Sequence, residues 1–98
     1  MPRVVLFNYV GVIGMAFLRV IWDLDDDPDG NVQHIAEHDI TKAEVLEVLD
    51  HPESCETSRS SGRPVAIGTT SEGRTILVVY DEIDEETVYP VTAFDLED

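Results

Sequence analysis

Apolar residues change their spacing several times along this chain, and each change marks an element. Phe17-Leu18-Arg19-Val20-Ile21-Trp22 is β-branched and aromatic and stops at an acidic cluster, which predicts a strand. Asp23 to Gly30 is polar and interrupted by Pro28 and Gly30, so it reads as a loop. Asn31 is suited to cap a short helix running to about His38, with Val32, Ile35 and Ala36 on its apolar side. The next helix is the best marked. Thr41-x-x-Glu44 forms a capping box, Ile40 and Val45 sit where a hydrophobic staple closes, and Ala43, Leu46 and Leu49 join Val45 and Val48 in a buried stripe. Pro52 disfavours helical geometry in the residue before it, so the helix ends by His51.

The second half is patterned for strands. Glu53 to Gly62 is polar and rich in serine, a loop with room for an edge strand. Arg63 to Thr69 alternates, with Val65 and Ile67 on one face, and Thr70-Ser71-Glu72-Gly73 supplies a hairpin turn with Gly73 where φ must be positive. Arg74 to Tyr80 is a nearly continuous apolar run, as in a central strand. Asp81 to Glu86 turns the chain and Thr87 to Phe94 returns it. Pro90 cannot donate to a ladder, so this last strand has a bulge or lies at an edge. Strand, helix, helix and three hairpin-linked strands predict an α+β fold: two short helices packed on one face of a small antiparallel sheet of about four strands. Residues 17–98 read as a single domain.

Residues 1–16 read as an N-terminal extension or an extra strand. Met1-Pro2-Arg3 and the apolar run to Phe17 have the outline of a secretory signal, but Asn8, Gly11 and Gly14 interrupt it and no small-x-small site follows. The run is too short to span a bilayer as a helix, and Met15 offers an alternative start. The expectation is a cytoplasmic protein with no membrane association. Cys55 is the only cysteine, which excludes an internal disulfide and fits a reducing compartment. Its Glu53-Ser54-Cys55-Glu56 setting disfavours a thiolate nucleophile.

Charge changes the picture most. The chain of 98 residues has Lys+Arg 6 against Asp+Glu 21, a formal net charge of -15. The acids lie in blocks: Asp23 to Ser58 contains Lys42 as its only base, and the tail from Tyr80 has none. Arg59, Arg63 and Arg74 gather in the segment between. Such a field repels nucleic acid at long range and favours partners with a basic surface.

Three constellations could carry chemistry. Asp25-x-Asp27-x-Asp29-Gly30 opens like a calcium loop, but Ala36 stands at the closing bidentate position and a strand precedes it, so an acidic solvated turn is the better reading. His34-x-x-Glu37-His38 has the letters of an inverted zinc-protease motif, yet a third ligand is missing, and a packing or capping role for His38 fits better. No metal or other cofactor is expected. The third constellation is the arginine trio. Arg63 and Arg74 begin paired strands, where guanidinium forks could converge on phosphate, with His34 or His38 for proton transfer. Pairing of these arginines with nearby carboxylates competes with that role.

From Ile21 onward the chain resembles the BrnT family of type II toxins. Ile21-Trp22-Asp23 matches the aromatic-Trp-Asp strand end of the family. Asn31-x-x-His34-x-x-Glu37-His38-Asp39-Ile40-Thr41 follows its Asn-x-x-Asn-x-x-Lys-His-Gly-Val-Ser pattern. Asp50-His51-Pro52 matches the helix stop, Arg63 leads into Ile67-Gly68-Thr69-Thr70, and Thr92-Ala93 echoes the closing Ser-Ala. The resemblance implies a compact RelE-like fold, a metal-independent endoribonuclease activity and a BrnA-type antitoxin as cognate partner. The departures fall on charge. Glu37 stands where the family has lysine, Phe94 where it has arginine, and Asp95-Leu96-Glu97-Asp98 replaces a basic tail. Losing two cations from a water-excluded phosphate site weakens it by several kcal/mol. The expected function is a BrnT-like domain with reduced or lost ribonuclease activity, acting as an acidic protein-binding or regulatory module. The alternative is an active toxin-type ribonuclease of a toxin–antitoxin system, the one case in which RNA is a partner. A homodimer is compatible with either.

Overall fold

The computed structural model describes residues 4–13 and 16–96, with side chains from Arg19 onward. The order is β1 (Val4–Ile13), β2 (Ala16–Asp23), α1 (Asn31–Ala36), α2 (Lys42–Asp50), β3 (Ser54–Thr57), β4 (Pro64–Thr69), β5 (Thr75–Asp84) and β6 (Thr87–Asp95). Met1-Pro2-Arg3, Met15 and Glu97-Asp98, which entered the readings of the start and the tail, lie outside the described residues.

The fold is α+β, with the two helices on one face of the sheet. The sheet itself is larger than expected, and mixed. Its order is β1-β2-β6-β5-β4-β3, and β2 and β6 run parallel while every other neighbouring pair is antiparallel. The two strands beyond the expected four are β1, the extra-strand option for residues 1–16, and β3, the edge-strand option for Glu53 to Gly62, whereas the expectation of an antiparallel sheet is corrected by the parallel β2–β6 pair. β1 pairs with β2 as a hairpin, β3 adds the opposite edge, and β6 inserts between β5 and β2. The helices form the crossover between β2 and the β3–β6 meander. They therefore pack on a single face.

That face holds the core. Ile35, Ile40, Val45, Val48 and Leu49 from the helical segment meet Val20, Trp22, Ala66, Ile76, Val78, Val88 and Ala93 from the strands, all buried. The helix α2 has the expected capping box, and it ends with His51 as C-cap, one residue before Pro52. Ala43, however, is exposed, and Glu44 takes a buried place in the stripe. A carboxylate is tolerated there because its oxygens are satisfied, as described below. Ala36 is also exposed.

Helix α1 begins differently from the expectation. Gly30 is its N-cap, and Asn31 is the first helical residue, its side chain turned into the interior. The helix ends at Ala36, short of His38, because Asp39 takes a left-handed conformation with φ 66°. The Ile40 amide donates to the Ile35 carbonyl and the Asp39 amide to Ala36, which satisfies the last carbonyls in a Schellman arrangement.

The hairpin between β4 and β5 closes as expected, with φ 88° at Gly73 and a bond from the Gly73 amide to the Thr70 carbonyl. β5 runs on to Asp84, beyond the expected turn at Asp81, because its exposed end places the acids in solvent. Pro90 lies in an interior strand next to a bulge: Val79 pairs with Thr92 and Tyr80 with Pro90, leaving Val91 as the extra residue. Of the two expected arrangements for Pro90, the bulge is the one present.

Candidate functional site

His38 lies in the turn after α1, with its ring edge-on to Phe94 at 4.8 Å between centroids and tilted to His34 at 5.9 Å. Both histidines are exposed. Around His38 is a depression of about 430 Å3 lined by Ala36, Glu37, Asp39, Phe94 and Asp95. Its ionisable walls are three carboxylates against one imidazole. An arginine bonds to two of the residues that line it, Asp39 and Asp95.

That arginine is Arg74. Its Nη1 donates to Glu44 Oε2 at 2.7 Å and to the Asp39 carbonyl at 3.1 Å, and its Nε donates to Asp95 Oδ2 at 2.8 Å. The bonds to Asp95 and then to Glu44 hold its guanidinium more firmly protonated than an ordinary arginine. Glu44 is shared. Its Oε1 accepts from the Thr41 amide at 3.0 Å, while the Glu44 amide donates to Thr41 Oγ1 at 3.2 Å. One arginine thus ties the start of α2, the end of α1 and the end of β6 together.

Arg63 is at the other end of the β4–β5 hairpin. The register from Val65↔Val79 to Thr69↔Thr75 places it beside Asp81 and places Arg74 beside Thr70. The two guanidinium-bearing residues are separated by about 20 Å along the strands. The expectation that they converge is corrected: antiparallel pairing brings the start of one strand to the end of the next. Arg63 Nε donates to Asp81 Oδ1 at 2.7 Å, with both side chains half-exposed. So His34, His38 and Arg74 gather at one end of the molecule, and Arg63 does not join them.

The acidic loop disperses its charges. Asp25 pairs with Lys42 at 2.9 Å, its carbonyl accepts from the Gln33 side chain, and Asp27 Oδ1 accepts from the Asp29 amide. Among the described residues no group of three or more His, Cys, Asp or Glu side chains is placed to hold a metal ion. Cys55 is exposed on β3. No helix among the described residues is long and apolar enough to cross a membrane.

A separate polar node joins the start of α1 to β2 and β6. The parallel pairing of β2 and β6 covers Arg19↔Thr87 and Val20↔Val88, and the strands then part. Asn31 fills the opening: its Nδ2 donates to the carbonyls of Ile21 and Pro90, both at 3.0 Å, and its Oδ1 accepts from the Asp23 amide at 2.9 Å. Asp23 Oδ2 accepts from the Asn31 amide at 2.9 Å and from the Tyr89 hydroxyl at 2.5 Å. Burial first, and then the bond to Asp23, push the Tyr89 hydroxyl far above its usual ionisation range. Gly30 has to be small here, since a Cβ would lie 2.6 Å from Asp23 Cβ.

No family model matches the chain, no curated protein matches it, and no solved structure matches it. Functional assignment therefore rests on the site itself. The placement of Phe94 against His38 was not legible beforehand, because it needs the end of β6 to meet the turn after α1. Equally hidden was a groove on the sheet face away from the helices. Its signal was present in the unbroken apolar run of β5, which makes both faces of that strand apolar.

Proposed function

We propose that this protein is a BrnT-like domain with reduced or lost ribonuclease activity, and that it acts as an acidic protein-binding module. The observation that carries the reading is the setting of His38. Glu37, Asp39 and Asp95 line its depression, and Phe94 occupies the position where the BrnT pattern has arginine. A phosphodiester approaching His38 meets like charge, while the nearest guanidinium is already held by Glu44 and Asp95. The same carboxylates suit a basic protein surface, and a BrnA-type antitoxin is the partner implied by the resemblance. Asp39 supports the likeness locally: its left-handed backbone is the conformation that glycine, found there in the family pattern, adopts without strain.

The test is direct. Purified protein is incubated with labelled RNA at physiological salt beside a His38→Ala variant. The proposal expects little or no cleavage by either beyond a protein-free control. Efficient cleavage by the wild type that disappears in His38→Ala would establish the alternative reading, an active toxin-type ribonuclease.

A further inference from the structure

We infer that the sheet face opposite the helices binds a small organic anion with an apolar body, seated between the β3–β4 loop and β6. This groove shares Phe94 with the His38 depression and differs from it in having guanidinium groups on its wall. Register places Val65, Leu77 and Val79 on the face that α1 and α2 leave uncovered, with Thr92 and Phe94 beside them. They line a groove of about 510 Å3, within the range of roughly 300–1,000 Å3 that small-molecule sites occupy. Its wall is the loop from Thr57 to Arg63. That loop is held closed by bonds from the Ser58 amide to the Arg63 carbonyl at 2.7 Å and from the Gly62 amide to the Ser58 carbonyl at 2.8 Å.

The groove is less acidic than the chain as a whole. Arg59 and Arg63 line it with Glu56 as the only carboxylate, in a protein of net charge -15. Arg63 is paired with Asp81. Among the described residues no carboxylate pairs with Arg59. Such a cation, kept on the rim of an apolar groove, complements an anionic head whose apolar remainder lies on Val65, Leu77 and Val79.

The probe is 8-anilinonaphthalene-1-sulfonate, with uncharged naphthalene as comparison. Binding is followed by fluorescence and mapped by amide chemical shifts in a 15N-labelled sample. Shifts are expected at Ser58–Ser61, Leu77 and Thr92. Arg59→Ala, an exposed loop change that leaves the melting transition intact, is expected to weaken the sulfonate about tenfold, as loss of a charge-assisted contact does, and to leave naphthalene unchanged. Lys42→Ala on the helix side serves as a control with no effect. Unchanged sulfonate affinity in Arg59→Ala, or shifts confined to the helix side, would overturn the inference. So would self-association through this face, seen as a dimer by light scattering that Leu77→Glu converts to monomer. None of these outcomes bears on RNA cleavage, so the two proposals fail independently.

Discussion

The side-chain amide of Asn31 donates to the carbonyl of Pro90, 59 residues further along the chain, across the point where β2 and β6 stop pairing. Pro90 has no amide hydrogen to extend the parallel ladder, and the bulge at Val91 turns β6 away from β2. The carboxamide replaces the missing rungs with three bonds. Removing it leaves the carbonyls of Ile21 and Pro90 and the amide of Asp23 unsatisfied in a buried place. Asn31→Ala is expected to lower unfolding free energy by about 2–4 kcal/mol with an unchanged urea m-value. Asn31→Asp should be at least as damaging, because it removes the donor and sets a second carboxylate beside Asp23. Equal stability of Asn31→Ala and wild type in urea melts would show that the strands hold together without this residue.

Glu44 serves two partners, and this ranks two substitutions. Thr41→Ala removes the capping hydroxyl and should cost about 1 kcal/mol, the usual value for an N-cap. Arg74→Met does more. It leaves Glu44, 8 % exposed, and Asp95 without their cation, and it frees the Asp39 carbonyl that fixes the end of α1. Chemical denaturation should therefore place Arg74→Met below Thr41→Ala, and the two losses should not add, because both act through Glu44. Strict additivity in the double variant would remove the shared role of Glu44.

The Tyr89 hydroxyl gives the protein an alkaline limit. Its ionisation is raised above the ordinary value of 10.0 by burial and by the Asp23 carboxylate. A group whose folded ionisation is raised stabilises the protein fully below its unfolded value, and that contribution is lost as pH rises through the folded value. The stability gap between wild type and Tyr89→Phe should thus be constant from pH 7 to near 10.0 and shrink above it. Absorbance at 295 nm reports the same event, and Tyr89→Phe should lose the last tyrosinate to appear. Tyr80 is raised as well, mainly by burial. Titration of Tyr89 at the ordinary position would mean that its bond to Asp23 does not form in solution.

Local rules explain what could be read in the sequence. The capping box of Thr41 and Glu44, the stop at Pro52 and the turn at Gly73 are decided within a few residues, and all three are present. Asn31 shows the opposite case. Its type suited an N-cap, but the strand ends of β2 and β6 offered buried partners with more bonds, and tertiary structure took precedence. The parallel direction of β6 beside β2 escaped the sequence reading for a related reason. The placement of β6 between β2 and β5 depends on how the helical crossover folds back, and no local pattern encodes it. At the candidate site the residue types were visible but their grouping was not. His34 and His38 share a turn of the chain, whereas the separation of Arg63 from Arg74 follows from pairing register alone.

Charge at the His38 depression can be reversed by substitution, and this gives the sharpest test of the functional reading. Glu37→Lys exchanges an anion for a cation on the rim, and Phe94→Arg sets a guanidinium where an aromatic ring now abuts His38. Both positions are exposed, so neither change burdens the core. If the depression retains the geometry of a phosphate site and lacks only its cations, the double variant should cleave labelled RNA at least about tenfold faster than wild type, since fixed charge at a developing oxyanion is among the largest catalytic contributions. The gain should fall steeply with added salt and vanish when His38→Ala is introduced into the same background. A folded double variant that is as inert as the wild type would mean that the depression was never shaped for a phosphodiester. The acidic surface would then be the functional feature in its own right.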